Sequence, residues 1–287
     1  MEFDFFNPRI PFGQWIESFI DWSTETFSLL LSLLSTVLGG LYDFFFWALS
    51  SPVYLIMIVV LAALAWLASG WKLAVFTLVG FYLIRALDQW TNSMSTLALV
   101  IVAVLIAVAI SIPLGILAAK SDIVSTILKP VLDFMQSMPA LAYLVPIIVI
   151  FGIGQVPGAI ATIIFALPPG VRLTELAIRQ VDPEVVEAGQ AFGASDGHIL
   201  SRIQLPLAMP TIMAGINQVI MLALSMVVLA GMAGAQGLGG AVISSISSLN
   251  IALGVEAGLA VVIIAVYLDR VTAALGNRSA LERARSA

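Results

Sequence analysis

Apolar residues run in long stretches along this chain, broken by short polar interludes. Seven stretches are long enough to matter, at about 53–69, 73–88, 94–118, 139–153, 158–171, 207–233 and 253–269, where a crossing helix needs roughly 20 residues. The fourth and fifth are short and lie between Pro139, Pro146, Pro157 and the pair Pro168–Pro169, which leaves their ends the least defined. Broken helices survive at membrane depth where neighbouring protein or water satisfies the freed backbone groups. The pattern predicts an all-α polytopic membrane protein with about seven transmembrane helices.

Before residue 50 the period changes. Phe19, Ile20, Phe27, Leu30, Leu31 and Leu34 recur at helical spacing, while Glu17, Asp21 and Glu25 mark another face. This predicts an amphipathic helix in the outer interface, extending into the run Leu29–Leu38. Phe44-Phe45-Phe46-Trp47 suits an aromatic belt. A true first span broken at Gly39-Gly40 is the competing reading.

Lys and Arg discriminate between the two. With the N-terminus outside, Lys72, Lys120, Lys129, Arg172, Arg179, Arg202, Arg270, Arg278, Arg283 and Arg285 fall inside, and only Arg9 and Arg85 fall elsewhere. That is the bias of the positive-inside rule, with the C-terminus cytoplasmic. An extra crossing before residue 53 would bring Glu2, Asp4, Glu17, Asp21 and Glu25 inside with a single Arg, which weakens an eight-span alternative without removing it. The chain thus divides into an interfacial segment (1–50), two accessory membrane helices (51–93), a core membrane unit (94–276) with one polar loop (172–206), and a cytoplasmic tail (277–287).

Composition agrees with the membrane assignment. Hydrophobic residues make up 61% and charged residues 10% of 287 positions, with mean hydropathy +1.08, against about 45–50% and 25% in soluble domains. The net charge of −5, spread over few ionisable groups, argues against a nucleic-acid partner. With no cysteine there is no disulfide, thiolate metal site or thiol chemistry. The start, Met-Glu-Phe-Asp-Phe-Phe, lacks the basic region of a cleaved signal, so insertion rests on the internal spans. A phosphate-binding P-loop needs Gly-Lys-Ser/Thr, whereas the three lysines follow Trp71, Ala119 and Leu128. The lone His198 has no second His or Cys beside which to hold a metal.

The polar loop carries the chemistry. Asp182-Pro183-Glu184 supplies an N-cap, a first-turn proline and a first-turn acid, which start a helix, and Gly193 is placed to stop it. Val185, Ala188, Gly189 and Phe192 follow the i, i+3, i+4, i+7 rule and make a small apolar face with one large knob. An apolar helix face in an aqueous loop calls for a groove. Ser195 is positioned to cap a second short helix through His198, Ile199 and Ile203, and Pro206 to mark the return to the membrane.

Glu187-Ala-Gly-Gln-Ala-Phe-Gly193, followed by Ile203-Gln-Leu-Pro206, resembles the cytoplasmic coupling loop of ABC-importer permeases. The departure is Gly189, where that pattern usually has Ala. From about 95 to 276 the sequence resembles the permease of glycine betaine/proline ABC importers. The stretches that carry this are Asp133-Phe-Met-Gln-Ser-Met-Pro-Ala-Leu-Ala-Tyr-Leu-Val-Pro146, Ile164-Phe-Ala-Leu-Pro-Pro169, Leu205-Pro-Leu-Ala-Met-Pro-Thr-Ile-Met-Ala-Gly215 and Leu224-Ser-Met-Val-Val228.

The resemblance implies a type I permease fold, a homodimer in a bacterial inner membrane, a cytoplasmic ATPase that binds the ATP and magnesium, and an external binding protein that selects the solute. The chain itself would hold no cofactor and catalyse nothing. The resemblance assigns ATPase coupling to Val185, Glu187, Ala188, Gly189, Phe192, Gly193, Ile203, Leu205 and Pro206.

Polar or bent positions within the spans are candidates for the translocation path: Gln136, Ser137, Met138, Pro139, Asn217, Gln218 and Glu256. For Asn217 and Gln218, structural hydrogen bonding is the competing reading. Glu256 would favour a quaternary ammonium if it faced a path, or would sit water-exposed among headgroups. Gly254 and Gly258 have the spacing of a close helix contact, within one subunit or at a dimer seam. Ala230–Gly240 is too rich in glycine for a regular helix and reads as an outer turn. A permease for choline or an amino acid is the near alternative, and a standalone channel or carrier the distant one.

Overall fold

The computed structural model describes residues 11–286, and is helical almost throughout. The acidic start and Arg9 lie outside the described residues. Thirteen α-helices follow in order: α1 (Phe12–Thr26), α2 (Ser28–Ser50), α3 (Tyr54–Ser69), α4 (Trp71–Ala86), α5 (Trp90–Lys120), α6 (Asp122–Ser137), α7 (Ala140–Phe151), α8 (Gln155–Arg179), α9 (Pro183–Ala191), α10 (Asp196–Ile199), α11 (Leu205–Ala230), α12 (Leu238–Ser247) and α13 (Ile251–Ser286).

The bundle is built around α8, which packs between α5 and α11. Small residues set the distance. A Cβ on Gly115 of α5 would lie 2.5 Å from Thr174 Cβ, and one on Gly170 of α8 would lie 2.5 Å from Ser111 Oγ. Ala103, Ala107, Ala118, Ala161, Ala166 and Ala177 are buried along the same helices. Without a hydrophobic drive between helices in lipid, close approach through small side chains is what allows van der Waals contact. The fifth predicted segment therefore extends beyond 158–171. Pro157 falls in the first turn, where its missing N–H costs nothing, and Pro168–Pro169 are carried inside a buried helix.

The fourth segment differs more. It begins at Asp122, and α6 and α7 form one element bent by 96° at Met138–Pro139. Ser121 caps α6, its side chain accepting from Val124 N at 3.4 Å. Met138 takes an extended backbone because Pro139 follows, which disfavours helix at the preceding residue.

By length and apolarity alone, five of the described helices qualify to cross, α2 among them, or six with the bent α6–α7 pair. Packing places α2 otherwise. Leu31 and Ser35 share a small cavity with Ile150 and Phe151 at the end of α7, and Gly39 faces Val156 at the start of α8. Tyr42 Oη lies 2.7 Å from Ser95 Oγ near the start of α5. A helix touching three neighbours in turn, each within about two turns of the same end, runs across that end rather than through the bundle. Apart from α2, the helices long and apolar enough to cross are α5, α8, α11 and α13 with the bent α6–α7 pair, while α3 and α4 are 16 residues each.

The glycine-rich stretch is folded rather than a loose turn. Ala230, Ala233, Ala235 and Leu238 are all buried. Leu238 N donates to Thr96 Oγ1 at 2.9 Å, and Ser95 Oγ to Gln236 O at 3.0 Å. Gly237 takes φ 120°, and α12 then returns along α13. Gly254 meets Ser245 of α12, whereas Gly258 meets nothing within 4 Å, so only the first makes a close contact inside the subunit.

Since the chain has no cysteine, single cysteines are unique labels. Placed at Ser32, Thr36 and Asp43, all exposed on α2, they are expected to react alike with an impermeant maleimide applied to one face of the membrane. A crossing α2 would leave position 36 unreactive and divide the other two between faces.

Candidate functional site

At the end of the bundle opposite α2, α8 continues as helix to Arg179. The polar segment is therefore shorter than 172–206, and only 180–195 interrupts the two long helices. Asp182 Oδ1 accepts from Glu184 N at 2.9 Å and Pro183 occupies the first turn of α9. Gly193, at φ 78°, ends the helix. Its N–H donates to Gln190 O at 2.8 Å, and Ala194 N to Gly189 O at 3.1 Å. A left-handed residue at this position satisfies carbonyls the helix would otherwise leave open.

The second helix departs from expectation. Ser195 stands at the N-cap of α10 without a side-chain cap bond, and the helix does not end before Pro206. It passes through a π-turn at Leu200–Gln204 directly into α11. Leu205 N bonds to Leu200 O, five residues back. A widened turn before Pro206 relieves the clash a proline ring makes with the carbonyl four residues earlier. The continuous helix Asp196–Ala233 makes the connection to the membrane stiff.

The expected apolar face of α9 divides in two. Gly189 turns inward, where a Cβ would lie 2.8 Å from Ile203 Cδ1 and 3.5 Å from Ile199 Cγ1. Ile203 and Ile199 thus seat α9 on the stem of α11, and Leu205 packs with Ala208, Ile212 and Ile178 beneath. Val185, Ala188 and Phe192 point outward. Phe192 is 93% exposed, on a helix with no buried residue. Glu187 lines an open cleft of about 540 Å³ between α9 and the bundle, with Lys120, Arg179, Gln190 and Asp196 among its other walls.

Above α9 the inner halves of α6 and α8 are joined by polar links that the sequence reading did not assemble. Ser125 Oγ donates to Glu175 Oε1 at 2.7 Å, and Arg179 Nε to the same oxygen at 3.1 Å. Arg179 Nη2 also donates to Asp122 Oδ1 and to Ala118 O, both at 2.8 Å. One level deeper, Arg172 pairs with Asp133. The signal was available: Arg172, Glu175 and Arg179 stand at i, i+3 and i+7, one face of a helix.

The path candidates separate by location. Gln136, Ser137 and Pro139 are exposed at the α6–α7 elbow, and Met138 packs partly against the Tyr143 cluster. Asn217 is structural: its Nδ2 donates to Asp269 Oδ1 at 3.2 Å, and Thr272 Oγ1 donates to its Oδ1 at 2.8 Å. Gln218, one residue on, is exposed with no hydrogen bond among the described residues. Glu256 lies seven residues before Ile263, which faces Gly80 of α4. Helical spacing puts the carboxylate on the side of the accessory hairpin, away from the elbow. Among the described residues no group of His, Cys, Asp or Glu could hold a metal.

Residues 111–280 match the family of the binding-protein-dependent transport system inner membrane component. The chain is 46% identical over 265 residues to the glycine betaine transport system permease protein OpuAB of Bacillus subtilis (strain 168), covering 92% of this chain and 94% of that one. It is 45% identical over 275 residues to the glycine betaine/proline betaine transport system permease protein ProW of Escherichia coli (strain K12), covering 96% and 78%. In fold it is similar to the MetNI methionine ABC transporter in inward-facing conformations, with TM-score 0.58 at 21% identity, over 69% of this chain and 95% of that one.

Gly189→Ala is expected to be neutral, since only the mobile end of Ile203 must shift and alanine recovers up to about 1 kcal/mol of helix propensity. Gly193→Val forces a β-branched residue to positive φ and is expected to cost about 1–2 kcal/mol locally. Hydrogen exchange in 183–194 checks both: faster exchange confined to the valine variant.

Proposed function

The chain belongs to the family of binding-protein-dependent transport system inner membrane components, and from that premise we propose that it is the permease of an ATP-driven importer of glycine betaine and related osmoprotectants. Relatives named for glycine betaine transport align with nearly the whole chain at 45–46% identity. That extended similarity supports the solute; coupling rests on one structural observation, the bare Phe192 on a short helix rooted in two membrane helices.

The working assembly is a permease homodimer with two cytoplasmic ATPase subunits and an external binding protein. Lys120 and Arg179 line the cleft at α9 and Arg202 stands on the stem of α11; by the positive-inside rule this is the cytoplasmic end. Phe192, with Val185 and Ala188, then enters a groove on the ATPase. Large aromatic side chains seated in such pockets carry most of an interface's affinity. Glu187 borders the cleft behind, leaving room for α9 to rock against the stem of α11.

Motion follows from the connections. ATP-driven closure of the ATPase pair draws the two α9 helices together. Because α11 is continuous from Asp196 and α8 ends within three residues of Asp182, both helices tilt with α9 and the path opens outward. Hydrolysis restores the inward state. Energy enters only through the different affinities of ATP and the loaded binding protein for the two states.

Phe192→Ala should leave the subunit's melting temperature unchanged, since the side chain touches little of its own fold. In proteoliposomes with ATPase and binding protein, the same variant should lower ATP-driven uptake of labelled glycine betaine at least tenfold, the loss expected for an interface anchor. Full uptake in the variant would remove Phe192 from coupling. Uptake by the wild type without ATP would defeat the importer reading.

A further inference from the structure

Arg172 and Asp133 form an ion pair at an unusual depth. Arg172 lies seven residues before the end of α8, about 10 Å inside it. Asp133 comes from α6, one turn before the elbow residues Ser137 and Met138. Both side chains are open on the isolated subunit, 40% and 67% exposed. Both lie in elements long and apolar enough to cross a membrane, where charges do not face lipid but line water-filled cavities or mark solute pathways. The pair is also incompletely used, because Arg172 Nε is buried with no hydrogen-bond partner, although a guanidinium presents its donors as a planar fork matched to a carboxylate.

The other inner ions of this region serve a different purpose. Glu175 is held by Ser125 and Arg179, and Arg179 by Asp122 and the Ala118 carbonyl. These are enough to fasten α6 to α8 at the cytoplasmic end. Arg172–Asp133 stands apart from them, nearer the bend.

We propose that Arg172 and Asp133 form a transient site for a zwitterion, Arg172 taking the carboxylate and Asp133 the quaternary ammonium. The inference rests on the betaine reading of the transported solute. A zwitterion that opens the pair replaces one neutral set of charges by another, so no ion is left uncompensated where dielectric screening is weak. A monovalent cation offers nothing to the guanidinium, and an anion nothing to the aspartate. The site therefore discriminates by charge pattern during passage, separately from the affinity of the binding protein. Its place beside Gln136 and Ser137 joins it to the elbow, so occupancy and the bend of α6–α7 act on the same residues.

The test uses the complete transporter in proteoliposomes, measuring labelled glycine betaine moved per ATP hydrolysed, with binding-protein-stimulated hydrolysis as a separate readout. Asp133→Asn and Arg172→Lys should each lower uptake per ATP at least tenfold while stimulated hydrolysis stays within twofold of wild type. The reversed pair, Asp133→Arg with Arg172→Asp, should recover thermal stability but not uptake, because the spare guanidinium donor has left α8. Unchanged uptake per ATP in the single variants, or full uptake in the reversed pair, overturns the site and leaves a structural clasp. If the wild-type complex moves neither glycine betaine nor proline betaine with ATP, the solute reading falls together with the inference.

Discussion

The close seating of α8 against α5 is the contact on which the other parts depend. It is made where Gly115 meets Thr174 and Gly170 meets Ser111, distances at which any added carbon would collide. Lipid supplies no hydrophobic drive for such an association, so shape must supply it. A helix fixed this tightly along its length behaves as a rod. Its end at Arg179 leads into Asp182 and α9, and its flank carries Arg172, Glu175 and Arg179 toward α6.

The polar network on that rod follows from the same requirement. Each buried donor or acceptor at membrane depth costs about 1–3 kcal/mol if left unmade, and most here are paired: Asn217 with Asp269 and Thr272, Thr162 with Gly158 O at 2.7 Å, Glu175 with Ser125 and Arg179. The exceptions among the described residues are Ser93 Oγ on α5, the Tyr143 hydroxyl on α7, and Gln155 Oε1 and Arg172 Nε on α8.

Much of the fold was legible because the bilayer restricts the choices. Five of the seven apolar stretches fall on helices long and apolar enough to cross, counting the bent α6–α7 pair, while 53–69 and 73–88 fall on α3 and α4, 16 residues each; the start and stop of α9 were readable because Asp182, Pro183 and Gly193 act through local geometry alone. What could not be read depended on tertiary support. Pro168–Pro169 look like a boundary in sequence, yet they are buried within α8, where neighbours hold the helix together. The joining of α10 to α11 needed a π-turn that no residue pattern announces. Gly189 was grouped with Phe192 by periodicity, but the two fall on opposite sides once Ile203 is seen to occupy the space a side chain would need. Ion pairs between α6 and α8 join residues about 40 to 60 apart in sequence, which periodicity within one helix does not reveal.

The position of α2 makes the final step. By composition it qualifies as a span, and by packing it lies over the ends of α7, α8 and α5. The difference is set by Tyr42, whose hydroxyl meets Ser95, which in turn holds the carbonyl of Gln236. That chain of bonds ties the surface helix to the buried glycine-rich turn before α12. A helix with polar anchors at one end of the bundle and an apolar underside is stable in the interface, and it leaves α3 and α4 free to brace α13. The far end of the bundle is thereby clamped by a cross-piece. Under the proposed coupling, tilting driven from α9 displaces most the half of α8 that carries Arg172 and Arg179, away from the bonded end at Ser95.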